Sequence, residues 1–319
     1  MFESLFAEDI ENMLTVMHNS GLVMKNLPYF LHDFDHFCTE KYLYDSILTF
    51  DIAEQWIHNT NSDSRRHMGN RVQTMKHLGR YQCSIGKQAY IPEYHISRSR
   101  SEEPHLFTEK QLVEFFEKVD TTINNTKKFP HNSTIYPVLF RMIYCCGLRS
   151  SEACKLRVDD IDLTNGMFNI YHSKGFKDRT VVMSDDLREL CVRFHKYYSV
   201  ILPDRTYFFQ PSHQVEHYES FHVTKVFDRI LQKTSFSNTT EKKFTTHGLR
   251  HLFAVQNIRK CIENSEDFNN WSQYLCRYMG HKNISETMYY LHITSQLFPV
   301  YNPKLKELEK GIGVVYVEE

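Results

Sequence analysis

Residues 246–254 read THGLRHLFA, and residues 279–293 read MGHKNISETMYYLHI. Apolar residues at three and four spacing predict a helix over 246–260, with His247 and His251 four apart and Arg250 beside them. Further helices are predicted at 271–279 and 284–291, on either side of the Gly280–His281 step. Two more contexts concentrate polar chemistry, GLRSSE (147–152) and SKGFKDR (173–179). Taken singly, none is specific. A lone arginine at a helix start is usually an ion-pairing residue, a lysine in a hairpin turn is usually solvated, and Tyr290 is one of 19 tyrosines.

Working outward, FTEKQLVEFFEKVD opens a helix with Thr108 as N-cap, and YPVLFRMIYCCG continues as an apolar helix. A short helix is expected around SSEACKL. The run MFNIYHSKGFKDRTVVM alternates about a glycine turn and predicts a β-hairpin, with further helices at 184–199 and 220–232. Upstream, LFAEDIENMLTVMHNS, LPYFLHDFDHFCTEKYL, TFDIAEQWIHN and SRRHMGNRVQTMKHLGRYQCSIG all carry helical periodicity. ISRSRSEEPH has no apolar period and reads as a linker. The organisation is therefore a helical domain over 1–95, a linker over 96–105 and a second domain over 106–319. The fold class is mainly α with a small β-sheet.

With 319 residues and 41% hydrophobic content, two buried cores are the natural expectation. Eight cysteines without a CxxC pair read as reduced thiols, and no run of about 18 apolar residues is present to span a bilayer. The acidic start MFESLFAEDIE is unlike a signal peptide, so a cytoplasmic location is expected. A net charge of -1 argues against a uniformly basic nucleic-acid binder. Its distribution tells more. Residues 1–60 carry ten acids against Lys25 and Lys41, whereas residues 61–100 carry eight bases against Asp63 and Glu93. Among these, Arg65, Arg66, Arg71, Lys76 and Arg80 are candidate DNA-binding residues, the alternative being a solvated helix face.

In order and context these motifs resemble the tyrosine recombinase (phage integrase) family. Arg149 in GLRSSE matches the family's first catalytic arginine, and Glu152 its supporting acid. Lys174 matches the hairpin lysine. His247 and Arg250 match His-x-x-Arg, with THGLRHLFA close to the common form HDLRHTFA; His281 matches the third phosphate-binding position, and Tyr290 the nucleophile. Met279 stands where leucine is usual, Gly248 where aspartate often occurs, and Tyr289 beside Tyr290 leaves the neighbour as an alternative nucleophile. The spacer CIENSEDFNNWSQYLC is long, and the ending YLCRYMGH with YYLHI is similar to recombinases of transposons and other mobile elements.

The resemblance implies a helical core-binding domain that clamps DNA, followed by an α+β catalytic domain. It implies a site-specific recombinase that cuts and rejoins DNA through a 3′-phosphotyrosine. Fixed guanidinium groups would bear the charge on the phosphate's nonbridging oxygens, with no metal, nucleotide or other cofactor. Lys174 would protonate the leaving 5′ oxygen, His247 would assist proton transfer, and His281 would hydrogen-bond the phosphate. A free tyrosine has a pKa near 10, so only about one part in a thousand is phenolate at pH 7, and activation by neighbours is required. The implied partners are double-stranded DNA with specific core sites and a homotetramer on that DNA, at the nucleoid; whether other recombinases of the same element join stays open. The tail after Tyr290, with Leu297, Phe298, Val300, Leu305, Leu308 and Val314 to Val317, packs either on its own domain or on a neighbouring protomer.

Two rival readings come from other classes. A metal-dependent enzyme would use His247 and His251, but HGLRH lacks the glutamate of HExxH and sets Arg250 beside the metal. A non-catalytic DNA-binding accessory protein would need none of the catalytic positions, all of which hold functional residue types.

Overall fold

A computed structural model describes residues 2–22, 24, 26–59, 65–96, 105–122, 131, 134–171, 178–237 and 243–297. Lys174 and the tail from residue 298 lie outside the described residues, and the side chains of 292–297 are likewise not described. The chain divides into two compact units, Met1–Glu102 and Glu103–Glu319. Among the described residues no helix is long and apolar enough to cross a membrane.

The first unit is built from α1 (Ala7–Asn19), α2 (Leu27–Lys41), α3 (Phe50–His58) and α4 (Arg65–Ser84). Spacing explains the packing. α2 buries Leu27, Phe30, Leu31, Phe34, Phe37 and Cys38, one stripe of a 3.6-residue period, against Ile52, Trp56 and Ile57 of α3 and Val72, Met75 and Leu78 of α4. Thr49 caps α3, its hydroxyl accepting from Ile52 N at 3.3 Å. Buried polar groups are paired: Gln82 donates to Asp9 and to the Ser46 carbonyl, and accepts from Leu48 N.

α4 corrects part of the sequence reading. Arg65, Arg66 and Arg80 are exposed, but Arg71 is 5% exposed and Lys76 3% exposed. Arg71 turns into its own unit, donating to the carbonyls of Trp56 and Asn59 and to Asp33 at 2.7 Å, with its guanidinium 4.6 Å from the Trp56 ring centre. The Lys76 ammonium meets the Glu93 carbonyl and the His95 ring at 3.4–3.5 Å. Both cations are buried and engaged within their own unit, unlike the exposed Arg65, Arg66 and Arg80.

The second unit runs α5 (Glu109–Thr122), α6 (Ile135–Cys146), α7 (Ser150–Lys155), β1 (Ile161–Asp162), β2 (Met167–Ile170), β3 (Arg179–Val182), α8 (Asp185–Ile201), α9 (Ser220–Leu231), α10 (Thr246–Glu263), α11 (Phe268–Met279) and α12 (Ser285–Leu297). It is mainly α with a small sheet. Thr108 caps α5: its hydroxyl accepts from Gln111 N at 3.3 Å while Gln111 Oε1 accepts from Thr108 N at 2.9 Å. The sheet is antiparallel in the order β1-β2-β3, with Phe168 opposite Val181 and Ile170 opposite Arg179. Phe168, Ile170 and Val181 are buried, as period-two alternation requires. The two-residue β1 was not anticipated, because a strand that short carries no period. α10 is the hub, packed on α6 and α12 and meeting α9 and α11. Leu249, Leu252, Ala254, Val255, Ile258 and Ile262 are buried on more than one of its faces.

Candidate active site

α6 ends where Gly147 takes a left-handed conformation, φ 60°, and a Cβ there would sit 2.5 Å from the Phe253 ring. The chain reverses and starts α7 at once, with Arg149 as the residue before its first turn. Glu152 reaches back, its carboxylate accepting from Arg149 N at 2.9 Å and from Arg149 Nη1 at 2.8 Å. Thr245 caps α10, its hydroxyl accepting from Gly248 N at 3.1 Å. From there His247, Arg250 and His251 project at three and four spacing.

The end of α11 organises the cations. Its last carbonyls carry the partial negative charge of a helix C-terminus, and three arginines from different elements take one each. Arg179 Nε donates to Tyr278 O at 2.7 Å, Arg250 Nη2 to Met279 O at 2.7 Å, and Arg149 Nη2 to Gly280 O at 3.0 Å. Arg250 also donates to Gly147 O at 2.6 Å, so it bridges the C-termini of α6 and α11. Glu152 stands among all three, accepting from Arg149 and Arg179 and lying 3.8 Å from Arg250. Gly280, φ 64°, is required here, because a Cβ would come within 2.8 Å of Arg179 Nη1. Three guanidinium charges against one carboxylate leave a surplus of positive charge, the electrostatics of an anion site.

The remaining candidates close round Tyr290. Its hydroxyl shares a 2.9 Å hydrogen bond with His251 Nδ1, and its ring stacks on His281 with centres 5.9 Å apart. His281, 4% exposed, is fixed by a 2.8 Å hydrogen bond between Nδ1 and the buried Thr287 hydroxyl. His247 packs edge-on against His251, ring centres 4.5 Å apart. Tyr289 is half-buried, 6.4 Å from His251 between ring centres.

Burial and the arginine field set the protonation states. Desolvation pushes Tyr290 up to about 12, although Arg250 pulls it back, so the phenol keeps its proton. Desolvation and neighbouring positive or imidazole groups, His247 and Arg250 foremost, hold His251 down at about 3; burial with Arg250 and Arg149 does the same to His281. Desolvation, joined by Arg250 and Arg149, lowers His247 to about 4, although the residue keeps an exposed face. All three imidazoles are neutral at pH 7. Burial would raise Glu152, but the hydrogen bonds and charge of Arg179, joined by Arg149, take it down to about 2. Burial and the nearby Arg149 lower Arg250 to about 10, still cationic at pH 7. The arrangement sets a phenol hydroxyl and a neutral imidazole, in hydrogen-bond contact, beside a fixed cationic cluster.

Arg149, Glu152, Arg250, His281 and Tyr290 are thus brought together, with His247 one ring away. Arg65, Arg66 and Arg80 belong to the other unit. Two residues escaped the sequence reading. His251 was visible in HGLRH, but its four-residue spacing from His247 suggested a metal ligand; instead its Nδ1 faces Tyr290, and among the described residues no group of three or more His, Cys, Asp or Glu is arranged to share an ion. Arg179 ends the quoted SKGFKDR, and nothing in the sequence pairs it with Glu152.

Residues 106–296 match the model of the phage integrase family. A tyrosine recombinase of Pseudothermotoga lettingae is 30% identical over 171 residues, which are 53% of this chain and 54% of that protein, so the alignment spans about half of its length. A putative integrase/recombinase of Sinorhizobium fredii is 24% identical over 301 residues, 91% of this chain and 92% of its own. Among solved structures, the Tn1549 transposon integrase in complex with a circular intermediate DNA has the same fold, with a TM-score of 0.62 at 16% identity over 88% of this chain and 94% of that one.

Proposed function

The chain belongs to the phage integrase family, and from that premise we propose that it is a site-specific DNA recombinase that cuts and rejoins DNA through a 3′-phosphotyrosine at Tyr290. The observation that carries this reading is the 2.9 Å contact of the Tyr290 hydroxyl with neutral His251, beside the Arg149–Arg250–Glu152 cluster. Arg149 and Arg250 bind the nonbridging oxygens of the scissile phosphate, and His281 adds a hydrogen bond. Tyr290 attacks phosphorus, its proton passes to His251, and the bond to the 5′ oxygen breaks as Lys174 protonates that oxygen. His247 assists from the solvent side.

Burial and His247 account for most of the lowering at His251, and an incoming phosphate anion offsets the part that comes from Arg250, which raises its basicity. The exchange replaces one phosphodiester with another and returns it, so neither nucleotide nor metal is called upon. The substrate is double-stranded DNA with specific core sites, gripped also by Arg65, Arg66 and Arg80 of residues 1–95 acting as a core-binding domain. The working form is a homotetramer on paired sites, at the nucleoid.

A suicide substrate nicked beside the cleavage point tests the reading. Wild-type protein is expected to become covalently attached to the 3′ phosphate, and absence of any adduct on the cognate site would overturn it.

A further inference from the structure

Arg179 has a partner at every nitrogen of its guanidinium. Its side chain is 6% exposed, and Nε, Nη1 and Nη2 all have partners: the Tyr278 carbonyl at 2.7 Å and the two Glu152 oxygens at 3.1 and 2.8 Å. The contact with Glu152 is a two-pronged fork, the strongest geometry available to a guanidinium and a carboxylate. With a donor of each nitrogen committed and the side chain buried, Arg179 is spent on its protein partners. Its influence runs through what it holds.

Three elements meet there. Glu152 lies in α7 and also grips Arg149; Tyr278 lies in the last turn of α11, directly before the carbonyls that receive Arg250 and Arg149. Arg179 itself opens β3, five residues after Lys174 in the sequence. A second tie runs alongside, the Tyr278 hydroxyl donating to Val182 O at 3.0 Å. The glycine at 280 leaves the space that the guanidinium occupies. Remove Arg179 and Glu152 would stay buried with only Arg149 bonded to it, while β3 would lose its link to α7.

We propose that Arg179 is a positioning residue of the site: by gripping Glu152 and the end of α11 it fixes the carboxylate that orients Arg149 and Arg250, and anchors the strand that follows Lys174. The inference rests on the recombinase reading above. It extends the site to a residue that touches no reacting atom.

The groups facing Glu152 are Arg149 from the start of α7, Arg179 from β3, and Arg250 and His247 from α10, with His281 beyond the arginines. In wild type Glu152 is ionised throughout the working range. In Arg179→Met the buried carboxylate loses a charge and two hydrogen bonds, so protonation enters that range and weakens the hold on Arg149.

The test is the pH profile of single-turnover cleavage on the suicide substrate. Arg179→Met is expected to be about ten- to a hundredfold slower at pH 7, the loss typical when the partner that orients a site ligand is removed. It should also gain an acidic limb beyond any that His251 gives the wild type, from protonation of Glu152. Adding Glu152→Gln should abolish that limb without restoring the rate. Arg179→Lys, which keeps the charge but not the fork, should fall between, and it decides the matter alone if the methionine variant does not fold. A wild-type-shaped profile in folded Arg179→Met, or a wild-type rate and profile in Arg179→Lys, would overturn the proposal. Failure of wild type itself to form an adduct would instead overturn the recombinase reading.

Discussion

Tyr290 Oη and His251 Nδ1 lie 2.9 Å apart, the phenol protonated and the imidazole neutral, at a site where burial alone would favour both states. Full proton transfer between two such groups is strongly uphill in the isolated protein. Arg250 acts on both partners at once, drawing the phenol down from the value burial would give it and holding the imidazole down as well, so a group that faces the anion site also sets the energetics of the proton's move.

Tyr290→Phe is expected to abolish covalent attachment to DNA and leave specific binding nearly intact. Tyr289→Phe should still form the adduct, because Tyr289 is half-buried and does not carry the His251 hydrogen bond. Denaturing gels of the suicide reaction distinguish the two, and adduct lost in Tyr289→Phe alone would move the nucleophile by one residue.

His251→Ala should slow single-turnover cleavage by about a hundredfold or more, the scale of a general base, with little change in DNA affinity. His247→Ala should cost less, since His247 faces solvent and reaches Tyr290 only across His251. Rate constants for the two variants side by side decide which imidazole serves the tyrosine; a wild-type rate in His251→Ala would return that role to His247.

The neutral histidines also predict a pH-dependent stability. His281 has a folded pKa of about 3 against an ordinary value of 6.5, so below pH 6.5 the unfolded chain takes up a proton that the folded chain refuses. Stability is therefore lost as pH falls from 6.5 toward the folded value, by at most about 1.4 kcal/mol per pH unit for this group. His281→Asn should be less stable than wild type at pH 7, and the gap in Tm should narrow by pH 5. A gap that stays constant across thermal melts would contradict the buried neutral state.

Particular residues show how much of this was legible. Arg149, Arg250, His281 and Tyr290 were found because each sits in a short motif and the motifs follow in order, and the geometry gathers them. The helices of both units follow their apolar periods to within a few residues. His251 was given no role of its own: its four-residue spacing from His247 was weighed only as a metal pair and set aside, and the same spacing serves equally well for a histidine facing another helix. Arg179 was illegible for a different reason: one partner is a backbone carbonyl 99 residues away, and a carbonyl leaves no mark on the sequence. Arg71 misled in the same way, since a charge count along α4 cannot register Asp33 or the carbonyls of Trp56 and Asn59.

Cleavage should proceed in EDTA and without ATP, because the positive charge facing the phosphate is supplied by Arg149 and Arg250, which stay protonated at any working pH. Single-turnover assays in chelator check this, and a strict magnesium requirement would sink the mechanism.

The basic helix of the first unit yields the last prediction, because burial divides its cations into two kinds. Arg65, Arg66 and Arg80 are exposed, and each that neutralises a phosphate should, when changed to alanine, lower the slope of log affinity against log salt by about 0.9 while leaving the melting temperature alone. Arg71 should behave in the opposite way. Its loss strands the Trp56 and Asn59 carbonyls and leaves Asp33, 41% exposed at its side chain, with the Trp56 indole as donor but no cation. The cost should therefore be about 2–4 kcal/mol, at or below the range for breaking a fully buried pair. Binding by the folded fraction of Arg71→Ala should keep the wild-type salt slope. Thermal melts and salt titrations of the four alanine variants separate the two kinds, and an Arg71→Ala protein with wild-type Tm and a reduced slope would put that guanidinium back on the DNA.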